Sequence, residues 1–371
     1  MKIGFLINPV AGMGGKVALK GTDGEETLRR ALELGAVPMA GTRAAEAVKE
    51  FAENAGDCRF YSPSGGMGAD LLKSYGLETE LLFDPSTHTT PADTKRAAEM
   101  MLERGVGLVV FAGGDGTARD ICSVIGERLA VVGIPAGVKI HSGVYAKRPK
   151  DAGLLINNFL LGKVKRFTTA EVVDIDEEAF RDNIVRARLY GYMMIPDDRE
   201  FMQDRKSGGS GGSTEEAANL AAFMALSMKP GVIYLIGSGS TTKQLTDRLG
   251  LDGTLLGVDA VRDGKLIGKD LTEAGIKEIL SGVERNKRVL IITVIGGQGH
   301  IFGRGNQQLS PEVIRMIPKE NITVIATPAK MAQLFGKSLI ADTGDGALDR
   351  ELSGYIPVVT GHARKMMAKV S

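Results

Sequence analysis

The stretch Leu108-Val109-Val110-Phe111-Ala112-Gly113-Gly114-Asp115-Gly116-Thr117, running on into Ala118-Arg119-Asp120-Ile121-Cys122-Ser123-Val124-Ile125, reads as a strand, a glycine turn and a helix N-terminus. Glycines let backbone N–H groups approach an anion without a Cβ in the way, and the positive end of the following helix favours negative charge. A lone carboxylate inside such a loop repels a phosphate unless it binds a divalent cation or takes a proton from an attacking hydroxyl, and both are tasks of phosphoryl transfer. Gly-Asp-Gly also makes ordinary tight turns, and Thr117 also reads as a helix N-cap.

Outward from this stretch, short apolar runs alternate with helix-like segments: Ile3–Ile7, 42–51, Arg59–Tyr61, 69–75, Glu80–Phe83, 92–104, Leu108–Phe111 and Ala130–Ile134. Such alternation implies parallel strands joined by right-handed crossovers, in an open α/β sheet with ligands at the carboxyl ends of its strands. The loop from Asn8 through Gly12 to Lys16 also follows a strand, so it opens onto the same edge, with Lys16 a candidate phosphate contact. The alternation predicts a domain over residues 1–148 and a second, mixed α/β domain over 149–371.

The second half repeats the strand, glycine and helix order. Val232–Ile236 enters Gly237-Ser238-Gly239-Ser240-Thr241-Thr242-Lys243, and Val289–Ile295 enters Gly296-Gly297-Gln298-Gly299. Asp263-Gly264 predicts a hairpin between Leu255–Val261 and Lys265–Ile267. Residues 207–213 have the composition of a flexible Gly/Ser linker, and Ser213-Thr214-Glu215-Glu216 is a capping-box pattern that predicts a helix up to Met228.

The 371 residues allow two domains with sizeable cores. A content of 43% hydrophobic and 25% charged residues is that of a globular chain, and the apolar runs are too short for a membrane span. The net charge of +1 offers no general field for nucleic acid, and without tryptophan base stacking is poorly served. Cys58 and Cys122 form no paired motif, which suits a reducing cytoplasm. No Walker loop is present, because neither Gly15-Lys16 nor Gly336-Lys337-Ser338 carries the earlier glycine. Gly237-Ser238-Gly239 misses the dinucleotide fingerprint, since residue 242 is threonine. His141 and His300 fall in glycine-rich loops, and His141 is a candidate phosphate contact or proton shuttle. The run Asp174-Ile175-Asp176-Glu177-Glu178 reads as a solvated turn more readily than as a cation site.

The pentapeptide Gly113–Thr117 resembles the signature shared by NAD kinases and the diacylglycerol and sphingosine lipid kinases, with a close variant in phosphofructokinases. Together with Ile7–Gly15, Leu19–Gly24, Gly257-Val258-Asp259, Gly296–Gly299 and Phe302–Asn306, it is similar to the prokaryotic branch described as polyphosphate/ATP-NAD kinases, over nearly the whole chain. The resemblance implies an N-terminal α/β domain and a β-rich C-terminal domain with the ligand in the interdomain cleft, and transfer of a phosphoryl group from ATP or polyphosphate to the adenosine-ribose 2′-hydroxyl of NAD, with Mg²⁺ or another divalent metal; a homo-oligomer is expected, and the composition predicts no membrane or nucleic-acid partner. Asp115 would orient or deprotonate the hydroxyl and contact the metal. Asn8, Gly12, Gly113, Gly114, Gly116, Thr117, Gly137, His141, Gly237 and Gly239 would line the nucleotide. Two departures stand out: Asn157-Asn158 does not supply the Asn-Glu or Asn-Asp pair of NAD kinases, and Val138 replaces a lipid-kinase threonine after Pro135-Ala136-Gly137. The nearest rivals are a lipid or other small-alcohol kinase and a non-catalytic nucleotide-binding protein, since the branch also resembles the acetoin-catabolism X protein.

Overall fold

The computed structural model describes residues 1–19, 25–86, 88–138, 140–175, 187–203 and 214–371. The chain divides into two compact units, one of residues 1–13 and 21–205, the other of residues 14–20 and 206–371.

In the first unit, β1 (Lys2–Ile7), β2 (Arg59–Ser62), β3 (Thr79–Leu81), β4 (Leu108–Gly113), β5 (Ala130–Pro135), β6 (Phe167–Ile175) and β7 (Ala187–Pro196) form one sheet in the order β3-β2-β1-β4-β5-β7-β6. All neighbours are parallel except β6 and β7. Every residue of β4 and β5 is buried, which is why these strands read as unbroken apolar runs: crossover helices cover both faces of a parallel sheet. The helices are α1 (Glu25–Glu33), α2 (Ala40–Phe51), α3 (Ala69–Ser74), α4 (Pro91–Glu103), α5 (Asp115–Ile125) and α6 (Pro149–Leu160). From β1 the chain builds outward through β2 and β3, then returns to lay β4 on the other side of β1. The carboxyl ends of β1 and β4 therefore flank a topological switch point, the place where open α/β sheets take their ligands.

The boundary expected at Arg148-Pro149 falls inside this unit. Pro149 occupies the first turn of α6, where its missing N–H costs nothing and its fixed φ suits a helix. The two strands after it continue the first sheet, β7 pairing with β5 through Ala130 and Met194. Behind the switch point, Cys122 of α5 is buried, its sulfur 3.8 Å from the Tyr192 carbonyl of β7.

The second unit has its own seven-stranded sheet. Its strands are β8 (Ile233–Ile236), β9 (Asp259–Arg262), β10 (Lys265–Gly268), β11 (Arg288–Thr293), β13 (Ile322–Ile325), β15 (Gly354–Gly361) and β16 (Arg364–Val370), in the order β10-β9-β8-β11-β13-β15-β16. Strands β8, β11, β13 and β15 run parallel, while the hairpins β9–β10 and β15–β16 make antiparallel edges. The pair β12 (His300–Phe302) and β14 (Ile340–Ala341) lies apart. Asp263 and Gly264 turn the first hairpin at φ 49° and 71°, the left-handed pair that a two-residue loop of this twist requires. The helices are α7 (Thr214–Leu226), α8 (Ser240–Arg248), α9 (Glu273–Leu280), α10 (Pro311–Arg315), α11 (Pro328–Gln333) and α12 (Gly346–Leu352). The expected Gly/Ser linker lies outside the described residues, and the helix after it spans Thr214–Leu226.

Candidate active site

Three loops meet at the carboxyl edge of the first sheet, following β1, β4 and β5. The β1 loop is fastened to the β4 loop by its first residue: the Asn8 backbone N–H donates to Ala112 O at 2.9 Å, and Asn8 Nδ2 donates to Thr117 Oγ1 at 2.9 Å. It is fastened to the β5 loop by Gly12, whose φ is +80° and where a Cβ would stand 2.0 Å from the Ala136 carbonyl oxygen. Only glycine combines that left-handed backbone with so close an approach. The β4 and β5 loops touch at Gly114 and Gly137, where a Cβ on Gly114 would be 3.3 Å from Gly137 Cα. Gly113 O accepts from the N–H groups of Ala136 and Gly137, both at 3.0 Å.

Asp115 opens α5 with Gly114 as its N-cap, so its charge sits at the favourable end of the helix. Its carboxylate is 7% exposed and faces the β5 loop. Oδ2 accepts from the His141 N–H at 2.7 Å and lies 3.2 Å from His141 Nδ1, while Oδ1 accepts from the Ser142 N–H at 3.0 Å. An ionised carboxylate only accepts, so the ring contact is favourable with the proton on Nδ1. Among the described residues Oδ1 accepts one such donor and Oδ2 faces two nitrogens, which leaves Oδ1 the oxygen with room for a further partner. Ser142 is held in turn by β6, exchanging hydrogen bonds with Val173 O at 2.9 Å and Val173 N at 3.1 Å through its hydroxyl.

Asn8, Gly12, Gly113, Gly114, Asp115, Gly116, Thr117, Gly137 and His141 thus belong to one constellation. Gly237 and Gly239 lie at the carboxyl end of β8 in the other unit. Lys16 is engaged elsewhere: its ammonium lies 3.6 Å from Glu273, and its carbonyl accepts the Glu273 N–H. Asn157 hydrogen-bonds Asn54 at 2.9 Å near the end of α6, on exposed surface. Asp174 pairs with Arg119 at 2.6 Å, so the described part of the acidic run is neutralised, and residues 176–178 lie outside the described residues.

Two contributors carry no short motif and became visible only with the fold. The Ser142 amide braces Asp115, while its hydroxyl ties Ser142 to β6. Tyr145, fully buried with its ring edge-on to Phe111 at 5.3 Å, donates its hydroxyl to the Gly114 carbonyl and locks the turn. Among the described residues, no group of three or more His, Cys, Asp or Glu side chains is placed to hold a metal ion, and no helix is long and apolar enough to cross a membrane.

Family models match both halves of the chain: the ATP-NAD kinase N-terminal domain over residues 4–164 and the ATP-NAD kinase C-terminal domain over residues 230–370. No curated protein and no solved structure shows significant similarity to it.

Proposed function

We propose that this chain, which belongs to the ATP-NAD kinase family, transfers the terminal phosphoryl group of ATP or polyphosphate to the adenosine-ribose 2′-hydroxyl of NAD. The observation that carries the reading is Asp115: a nearly buried carboxylate at a helix N-terminus, at a topological switch point, braced by two backbone amides and retaining an acceptor position on Oδ1.

In this reading the hydroxyl donates its hydrogen bond to Oδ1. As its oxygen bonds to phosphorus and the bond to the donor's bridging oxygen breaks, the proton passes to the carboxylate. Donation from His141 and Ser142 holds the acid in place, so that little reorganisation accompanies the transfer. The free amides at the start of α5 and the glycines of the β4 loop face the nucleotide's phosphates. A single hard carboxylate fits Mg²⁺, which takes one or two protein carboxylates and completes its shell with phosphates and water. When bound, such an ion supplies charge neutralisation to the phosphoryl oxygens. Asp115 is the residue that would hold it. The buried, unpaired state of Cys58 and Cys122 supports a place in a reducing compartment.

Incubating the protein with NAD, Mg²⁺ and either ATP or polyphosphate tests the reading. NADP is the expected product. Phosphate incorporation into a lipid or another alcohol in place of NAD would overturn the acceptor, and nucleotide binding without turnover would overturn the chemistry.

A further inference from the structure

A cleft opens on the first unit where the end of α6, the start of β6 and the end of β7 come together. Its volume is about 190 Å³, more than the ~150 Å³ that suffices for a six-membered ring. The elements meet because Arg166 and Asp197 extend the β6–β7 ladder: the Asp197 N–H donates to the Arg166 carbonyl at 2.9 Å, one step before the Phe167–Pro196 pair. Gly162, at φ +66°, ends α6 and turns the chain toward β6, and the Lys163 N–H donates back to the Asn158 carbonyl at 2.8 Å. None of the residues lining the cleft belongs to the constellation around Asp115.

Three cationic residues line it, Lys163, Lys165 and Arg166. Among the described residues none of the three makes an ion pair within 4.0 Å or a side-chain hydrogen bond. Other cations of this unit are matched: Arg148 holds Asp151 at 2.9 Å, Arg119 holds Asp174 at 2.6 Å, and Lys147 donates to the Arg199 and Glu200 carbonyls at 2.8 and 2.7 Å. Two acidic residues, Asp197 and Asp198, share the lining. Asp198 is engaged by the turn that follows, its Oδ1 accepting from the Glu200 and Phe201 N–H groups at 2.9 and 3.3 Å. Asp197 is exposed and its carboxylate accepts no hydrogen bond among the described residues, although Arg166 stands opposite it on the ladder. One recess thus gathers three unmatched cations and one unmatched acceptor.

We propose that this cleft binds a small phosphorylated sugar or polyol, its phosphate held by Lys163, Lys165 and Arg166 and one of its hydroxyls donating to Asp197. Phosphate suits the cations, because an arginine fork grips two of its oxygens at once and lysine ammoniums neutralise the remaining charge. A bare oxyanion is poorly served, since the neighbouring carboxylates repel it. A ligand that also brings hydroxyl hydrogens turns Asp197 from a repelling group into an acceptor. The polar lining excludes an apolar occupant of the same size. Lys165, Arg166, Asp197 and Asp198 lie between the two stretches that the family models match, and the inference does not depend on the kinase reading.

Isothermal titration of the whole protein with glucose 6-phosphate and sorbitol 6-phosphate, with inorganic phosphate and glucose as controls, tests the site and distinguishes sugar from polyol. At least one ester is expected to bind more tightly than either control. The double variant K165A/R166A, at two exposed positions, is expected to weaken that ester by roughly 10- to 100-fold, the effect of losing charge-assisted hydrogen bonds. K163A, exposed as well, is expected to weaken it by several-fold and decides the question should the double variant fail to fold. D197A removes a repelling charge together with the hydroxyl's acceptor, so the preference for the ester over inorganic phosphate should narrow by several-fold, a change that general loss of structure does not produce. Wild-type protein that binds neither ester overturns the site, as does ester binding within about three-fold of wild type in K165A/R166A and K163A. Inorganic phosphate or glucose binding as tightly as both esters, or an unchanged preference in D197A, overturns the ligand class.

Discussion

Replacing Asp115 separates a supporting acid from a reacting one. In Asp115→Ala the N–H groups of His141 and Ser142 lose their acceptors, the second of them at a residue with no exposed surface. Each buried donor left unmatched costs about 1–3 kcal/mol, so the alanine variant should lose about 2–5 kcal/mol of stability. Asp115→Asn keeps the shape. Its amide oxygen can still accept from Ser142, and its NH₂ group, placed where Oδ2 stands, faces the His141 N–H, losing one hydrogen bond there. The imidazole nitrogen at 3.2 Å can accept from that NH₂ once its proton moves to Nε2, which limits the loss to about 1–2 kcal/mol. Without a proton acceptor, NADP formation should fall by about 10²- to 10⁴-fold. Urea denaturation reports the first quantity, and single-turnover rates under saturating nucleotide report the second. An asparagine variant that is folded, binds nucleotide and turns over within about ten-fold of wild type would refute the role given to this carboxylate.

Three further outcomes are expected. Gly12→Ala places a methyl group 2.0 Å from Ala136 O at φ +80°, so the β1 loop must move away from the β5 loop, with a loss of about 2–4 kcal/mol in denaturant titrations. Asn8→Ala removes the donor to Thr117 Oγ1 and should lower stability by about 0.5–1.5 kcal/mol while weakening nucleotide binding measurably by calorimetry. Lys330 ordinarily titrates at 10.5 and burial lowers it to about 8, so between those values the unfolded chain holds a proton that the folded chain has released. Stability of the ligand-free protein should therefore rise with pH across that window, by up to about 3 kcal/mol. Unfolding midpoints of wild type and K330M, compared at pH 7.5 and pH 10, check it: the variant should lack the gain.

Much of the first unit is written locally. A fully buried strand announces itself as Val109-Val110-Phe111, a glycine turn as Gly113-Gly114, and a crossover helix as the segment starting at Pro91, because each rests on short-range sterics. The family is legible for the same reason, its signature being one such turn. The extent of the unit is not. Whether Phe167–Ile175 and Ala187–Pro196 extend the first sheet depends on β7 finding β5 more than fifty residues upstream, and a proline at Pro149 reads equally as linker or as helix start. The candidate site divides likewise. Asp115 is marked by its glycines, whereas the braces at Ser142 and Tyr145 sit in unremarkable contexts and acquire meaning from strands that pair at long range. Lys16 shows the converse: beside two glycines it resembles a phosphate contact, yet a carboxylate at Glu273 engages it.

Cys122 gives this fold a built-in reporter. Its thiol is enclosed between α5 and β7, 3.8 Å from the Tyr192 carbonyl and 2.9 Å from where a Cβ on Gly191 would stand, and burial raises its pKa. A maleimide can reach that sulfur only when the helix bearing Asp115 lifts from the sheet. The alkylation rate of this thiol, separated from that of Cys58 by peptide mapping and followed with and without nucleotide, therefore clocks the breathing of the ground beneath the acid.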